Sequence, residues 1–229
     1  MSVWAVLAAA GRGERLGSDR PKAFARLGGR PLLAESLERL EGSDWIEQIV
    51  IAAPPEWEEP SILVAEEIAE TKVHSAITGG ETRSESVRLA LEEVPVDAAV
   101  VLVHDVARPL VPEDVIERVL APLGEGWEAA VPVLPLADTI KRVEGDRVVE
   151  TLARGKHVAV QTPQAFLADV LRQALSGDVS SATDCASLVE ARGGRVKAVP
   201  GDPRLLKVTD EEDLALVESW LETAEPSAE

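Results

Sequence analysis

Apolar and polar residues along this chain fall in blocks whose spacing switches between two periods. Residues 3–9 (VWAVLAA) form a short apolar run bounded by glycine, which predicts a strand buried on both faces of a sheet. From Pro31 a helical pattern follows, with Leu32, Leu33, Leu37 and Leu40 on one face, and proline suits a first helical turn. The runs 46–53, 73–77, 98–103 and 129–134 read as further strands. Between them, Pro60 with Ile62, Leu63, Ala65, Ile68 and Ala69 marks a helix, as do residues 86–93 and Pro112 with Val115, Ile116, Val119 and Leu120. This alternation predicts an α/β fold, with one Rossmann-like, doubly wound, mostly parallel sheet.

The pattern then changes. Residues 138–143 and 147–149 flank Glu144-Gly145-Asp146, a hairpin signal. Both sides mix charged and β-branched residues, so neither has a clean buried face, and residues 137–156 read as a projecting arm. A strand over 157–162 and a helix over 167–175 come next. Thr183-Asp184 caps a helix that contains Cys185, and Gly193-Gly194 ends it. Strands are predicted at 196–199 and 205–209. Residues 209–212 cap a last helix with Leu214, Leu216, Val217 and Leu221 on its apolar face. Residues 226–229 read as a frayed tail, which leaves 1–225 as a single domain without repeat or linker.

Composition narrows the function classes. With 229 residues, 45% of them apolar, one full core is expected. A formal net charge of −18 argues against general nucleic-acid binding. No apolar run is long enough to cross a bilayer, and no basic region precedes an apolar core at the N-terminus, so a soluble, cytoplasmic protein is expected. One cysteine, Cys185, excludes an internal disulfide and a cysteine-rich zinc site. The three histidines, His74, His104 and His157, are too scattered to suggest a metal cluster, and no metal-ligating residue is assigned.

Against that acidic background, residues 10–22 stand out. The loop holds Gly11, Gly13 and Gly17 beside Arg12, Arg15, Arg20 and Lys22, with only Glu14 and Asp19 opposing them. Glycines let a backbone approach a ligand closely, and such a cluster reads either as a phosphate site or as an ordinary solvated loop. The P-loop pattern is absent, and the dinucleotide pattern G-x-G-x-x-G fails at Leu16. The next strand ends Ala52-Ala53-Pro54 without the acidic residue that a NAD-binding oxidoreductase needs.

Three later segments carry chemistry. Residues 78–86 (TGGETRSES) lead into a helix, where free backbone N–H groups suit an acceptor; a plain capped start with Thr82 or Ser84 explains them as well. The run 98–103 feeds into His104-Asp105-Val106-Ala107-Arg108-Pro109 at a strand's carboxyl end, where open α/β sheets bind ligands. There Asp105 can take hydroxyls or a metal and Arg108 a phosphate, unless the two simply pair. One histidine at a strand end reads as structural, so His104 is not a candidate. Lys207 sits in an apolar stretch, which suits either a solvated edge or a bound phosphate. Cys185 reads as a small buried thiol.

The segment AAAGRGERLGSDRPK resembles the signature loop of sugar-phosphate nucleotidyltransferases. Together with GGETRSES, HDVARP and LLKVT, in this order, it resembles the 2-C-methyl-D-erythritol 4-phosphate cytidylyltransferases of the non-mevalonate isoprenoid pathway, from residue 3 to about 221. The resemblance implies a fold of nucleotide-diphospho-sugar transferase type and cytidylyl transfer from CTP to a polyol phosphate. It implies Arg15, Lys22, Arg154 and Lys207 as catalytic residues, with Arg154 reaching a partner subunit's site from the arm of a homodimer. It implies CTP contacts at Ala9, Ala10, Gly11, Gly13, Gly80, Arg83, Ser86 and Asp105, and acceptor contacts at Asp105, Arg108, Thr139 and Thr162. Mg²⁺ would be held mainly by CTP phosphates. Ala23 departs from the family's usual glutamine and Cys185 from its usual Asp-Glu pair; the fused cyclase domain of some relatives is not expected here. A cytidylyltransferase for ribitol 5-phosphate and a catalytically silent nucleotide-binding module are the alternative readings.

Overall fold

The structure is a computed structural model that describes residues 2–16, 20–68, 71–180 and 182–224; Gly17, Asp19, Ala69, the tail 226–229 and the Glu14 side chain lie outside the description. In chain order its strands are β1 (Val3–Ala8), β2 (Arg26–Leu27), β3 (Arg30–Pro31), β4 (Gln48–Ala53), β5 (Val73–Thr78) and β6 (Val100–Asp105). After these come β7 (Ala129–Pro135), β8 (Lys141–Glu144), β9 (Arg147–Thr151), β10 (Val158–Val160), β11 (Gln164–Leu167) and β12 (Val196–Pro200). The helices are α1 (Leu32–Glu41), α2 (Glu58–Glu66), α3 (Arg83–Ala90), α4 (Glu113–Gly124), α5 (Ala168–Leu175), α6 (Cys185–Ala191) and α7 (Glu211–Ala224).

Strict alternation within each central strand divides its residues between two cores. Val3, Ala5 and Leu7 of β1 join Ile49, Ile51, Val100 and Leu102 on one face, against Leu33, Leu37 and Leu40 of α1 and Val115, Ile116 and Val119 of α4. Trp4 and Val6 join Val50, Val101 and Val103 on the other, against Val87 of α3, Leu171 of α5 and Val189 of α6. Both faces are therefore covered, and this is why these strands read as unbroken apolar runs. The sheet order is β10-β7-β11-β6-β1-β4-β5, and β12 also pairs with β7. β1 runs parallel to β4 and β6, and β4 parallel to β5.

Three expectations change. Residues 164–167 form β11, which runs antiparallel to both β6 and β7 and fills the gap between them. This strand is short and continues directly into α5, so its apolar residues blend into the helical pattern. Residues 205–209 are not a strand: Pro203–Leu205 is a 3-10 turn, and the segment beyond it meets the loop after β6 through Val208 N–H to the Ala107 carbonyl at 2.8 Å. The apolar residues Leu205 and Val208 are buried without joining the sheet. The helix expected from Pro60 begins slightly earlier, at Glu58, and proline is tolerated in this first turn.

A third, smaller core packs Leu16, Leu27, Leu32, Leu110, Val208 and Val217 together, the last from α7. Leu16 adjoins Arg15 and Val208 adjoins Lys207, so one patch of packing fixes the backbone beside two distant cations. The arm is different. β8 and β9 form a separate two-stranded ribbon whose Val143 and Val148 are 57% and 55% exposed. No helix among the described residues is long and apolar enough to cross a membrane.

Candidate active site

The carboxyl ends of β1, β5 and β6 open into one cleft of about 1240 Å³. On its floor, the loop after β1 leaves the backbone N–H groups of Ala10, Gly11, Arg12 and Gly13 without an acceptor among the described residues. Successive free amides make a concave seat for an anion. Gly13 has φ +69°, and a Cβ there would lie 2.8 Å from Lys22 Cβ, so only glycine lets the loop close on the lysine. Lys22 N–H completes that closure to the Gly11 carbonyl at 3.3 Å. Lys22 opens the 3-10 turn Lys22–Phe24, whose Ala23 and Phe24 are buried in the core.

Arg12, Arg15, Arg20, Lys22, Arg83 and Lys207 all face this cleft. Burial lowers the Lys22 ammonium's pKa from its ordinary value, and the charges of Lys207 and Arg15 lower it further. An ammonium lowered in this way by burial and neighbouring positive charge is suited to receive an anion.

Asp105, at the end of β6, is the charged hub opposite. Its Oδ1 accepts from Arg83 Nε at 2.6 Å and its Oδ2 from Lys207 Nζ at 2.8 Å. Burial pushes this carboxyl up, but the Arg83 and Lys207 charges outweigh burial and hold it well below the usual carboxylate range. The pairing with Arg108, one alternative left by the sequence, is not formed. Arg108 Nη1 instead donates to the Leu205 carbonyl, and its side chain does not line the cleft. Asp105 is thus an ion-pair partner of two cleft cations.

Behind Asp105 runs a buried chain. Asp105 N–H donates to Thr162 Oγ1 at 3.1 Å, and Thr162 Oγ1 lies 3.2 Å from His104 Nδ1. His104 Nε2 is 3.0 Å from the Arg108 carbonyl, which can only accept, so the proton sits on Nε2 and Nδ1 accepts from the threonine. Burial pulls the imidazole down to about 4. Thr162, expected to touch substrate, is buried and holds Asp105 instead. His104, left out of the candidate site by its sequence context, is buried and hydrogen-bonded at both ring nitrogens.

The loop between β5 and α3 forms the far wall. Thr82 caps α3 by accepting from Glu85 N–H, and Glu85 reaches back to Glu81 N–H at 2.9 Å. Ser86 Oγ accepts from Gly80 N–H at 3.0 Å and donates to the Thr82 carbonyl at 2.9 Å. A Cβ at Gly80 would lie 2.3 Å from Glu85 Cγ, so this tight path requires glycine. Ser86 lines the cleft, but its hydroxyl is engaged in shaping the loop.

Other expected residues lie elsewhere. Ala9 is fully buried, and its N–H donates to the Ala52 carbonyl at 2.9 Å. Thr139 and Arg154 are exposed at the base of the arm, where Arg154 Nη1 donates to the Ala137 carbonyl, and neither lines the cleft. Cys185 is buried with its Sγ 3.5 Å from Arg83 Nη1, and burial pushes its thiol up to about 11. Sequence reasoning missed Pro54, Pro55, Trp57 and Thr209, all of which line the cleft. Adjacent prolines after β4 were the available signal, because they mark a turn at a strand's carboxyl end.

Comparison with known proteins gives a consistent result. The family model described as IspD, 2-C-methyl-D-erythritol 4-phosphate cytidylyltransferase, matches residues 3–223. The chain is 46% identical over 226 residues to the enzyme of that name from Frankia casuarinae, covering 98% of this chain and 83% of that one. It is also 46% identical to the one from Saccharopolyspora erythraea, over 96% and 100% of the two chains. The crystal structure of 2-C-methyl-D-erythritol 4-phosphate cytidylyltransferase from Thermus thermophilus superposes with a TM-score of 0.78 at 35% identity, covering 97% of this chain and 100% of that one.

Proposed function

The chain belongs to the 2-C-methyl-D-erythritol 4-phosphate cytidylyltransferase family, and we infer that it transfers the cytidylyl group of CTP to 2-C-methyl-D-erythritol 4-phosphate in isoprenoid precursor synthesis. A phosphate oxygen of the acceptor attacks the α-phosphorus of CTP. The bond from that phosphorus to the bridging oxygen breaks, and pyrophosphate leaves with the electron pair. The acceptor's second phosphate pKa is about 6, so it arrives mostly dianionic and needs no strong base. The site's own groups fit that economy: His104 is buried and hydrogen-bonded on both sides, and Asp105 is engaged with two cations.

The observation that carries the reading is the convergence of Arg15, Lys22 and Lys207 beside the unclaimed amides of the glycine loop. Arg15 and Lys22 take the triphosphate and the charge that grows on the α-phosphate oxygens, the use to which fixed donors are best put. Ala10, Gly11 and Gly13 supply the amide seat, with Ala9 anchoring it to the sheet. Gly80 offers the narrow wall for the cytosine ring, and Ser86 keeps that wall in shape. Arg83 holds Asp105, and Asp105 aims Lys207 at the acceptor phosphate. Arg154, with Thr139 beside it, completes that phosphate site in a partner subunit. Arg108 and Thr162 brace the Asp105 turn from behind.

A homodimer joined through the arm is supported by the exposed Val143 and Val148 and by the exclusion of Arg154 from its own chain's cleft. Mg²⁺ would be held mainly by the CTP phosphates, because this ion takes few protein ligands, and it would supply charge neutralisation there. We place the reaction in the cytoplasm, where CTP is made.

The test is pyrophosphate release from CTP and Mg²⁺ with each acceptor supplied separately. Release with 2-C-methyl-D-erythritol 4-phosphate alone supports the reading. Release only with ribitol 5-phosphate overturns the acceptor, and silence with both, despite CTP binding, overturns the reaction.

A further inference from the structure

Among the described residues the cleft has one aromatic wall, and its origin is a tight turn. After β4 the chain runs Pro54-Pro55-Glu56-Trp57, closed by Trp57 N–H to the Pro54 carbonyl at 3.0 Å. Pro55 takes the first corner and Glu56 the second with φ +68°, the arrangement of a type II turn. That corner normally takes glycine or asparagine, and a glutamate held there marks a place where surrounding structure imposes the path. The turn delivers Trp57 to the start of α2, half-buried, where it lines the cleft and packs on the main core. Its ring centroid lies 4.4 Å from that of Phe24, tilted by 47°. Phe24 belongs to the same 3-10 turn as Lys22, which it follows by two residues.

We propose that Trp57 is a positioning residue for the cytidylyl transfer: through Phe24 it fixes the turn that presents Lys22 to the cleft, and its indole forms a wall that bound CTP covers. The inference rests on the function proposed above. The turn is anchored from below, where Ala23 and Phe24 are buried in the main core with Leu33 and Leu37 of α1. Its backbone adds the Lys22 to Gly11 link at 3.3 Å, and on the side of the cleft the ring pair completes the support. A lysine displaced by a fraction of an ångström still binds a polyanion, but it no longer meets the charge that grows during transfer.

The experiment has two arms. In pyrophosphate-release assays, Trp57→Ala lowers kcat about 10- to 100-fold and leaves KM for the polyol phosphate within about two-fold, while Trp57→Phe keeps the ring and restores kcat. Unchanged kcat in Trp57→Ala overturns the positioning role, as does equal loss in Trp57→Phe. If Trp57→Ala does not fold, Trp57→Leu is read in its place, with the same expected loss and the same overturning result. In the second arm, the emission difference between wild type and Trp57→Phe isolates Trp57, and it changes on titration with CTP and Mg²⁺. A flat difference overturns the wall. A wild type that releases no pyrophosphate overturns the proposed function, and the titration then decides the part played by Trp57.

Discussion

The cleft and the arm are built on opposite terms. Around the cleft, the groups that shape the walls are tied to named partners: Asp105 to Arg83, Lys207 and Thr162, Ser86 to Gly80 and Thr82, and Lys22 N–H to Gly11. The sheet ends and a small core behind Arg15 and Lys207 hold these contacts rigid. The arm has no core of its own. Its cross-strand contacts include the exposed Arg142–Glu150 pair, and such surface pairs contribute little. Dense packing is therefore concentrated at the cleft, while the arm leaves apolar side chains uncovered.

The sharpest way to probe this contrast is to remove one cation from each region. Lys22→Ala is expected to lower turnover about 10²- to 10³-fold with no loss of fold, read by pyrophosphate release and thermal unfolding. Near-normal turnover would remove Lys22 from the machinery. Arg154→Ala is expected to cost about 10- to 100-fold, because a charged hydrogen bond to phosphate is lost. Mixing the two inactive variants after subunit exchange should recover about a quarter of wild-type activity if Arg154 serves a partner's cleft. No recovery would place Arg154 and Lys22 in the same chain's site or in none.

A third measurement tests how rigid the cleft is against acid. His104 is held neutral with its pKa near 4, below the ordinary 6.5, so unfolded chains bind a proton that the fold does not. Its contribution is intact above about pH 6.5 and is lost as pH falls towards 4, on the order of 3 kcal/mol in all. Asp105, depressed instead, contributes above its unfolded value near 3.9 and loses that contribution below it. Urea unfolding of wild type and His104→Gln between pH 4 and 7 should show the slope in the first and a flatter line in the second. Equal slopes would assign the acid sensitivity to other groups.

The smallest effect concerns backbone strain. Glu56→Gly should stabilise the fold by about 1 kcal/mol, or roughly 2–4 °C in Tm, since glycine adopts φ +68° without penalty. An unchanged or lower Tm would mean that the glutamate side chain compensates for the turn.

What could be read from sequence follows the same division. The central strands, the helices and the glycine loop were legible because burial on both faces and positive-φ turns leave local marks on composition. β11 was not, because its strand character comes from lying between β6 and β7 rather than from its own residues. For the site, the loop cations around Arg15 and Lys22 stood out in an acidic chain and Lys207 in an apolar stretch, and the family resemblance supplied their expected roles. The partner choices of Asp105 were not, since Arg83 and Arg108 are equally plausible mates until the turn fixes which one faces inward. Trp57 escaped notice because its importance lies in a ring contact with Phe24 across the fold.

The path of the chain through the arm has a consequence for how such proteins diverge. β7 ends at Pro135 and β10 begins at Val158, and these two residues are register partners in the sheet. The chain thus leaves and re-enters the sheet at the same rung. Insertions, deletions or drift within the excursion do not shift the pairing on either side. The arm can therefore be rewritten over generations in a segment that the rest of the molecule treats as a closed parenthesis, while the strands on either side keep their pairing.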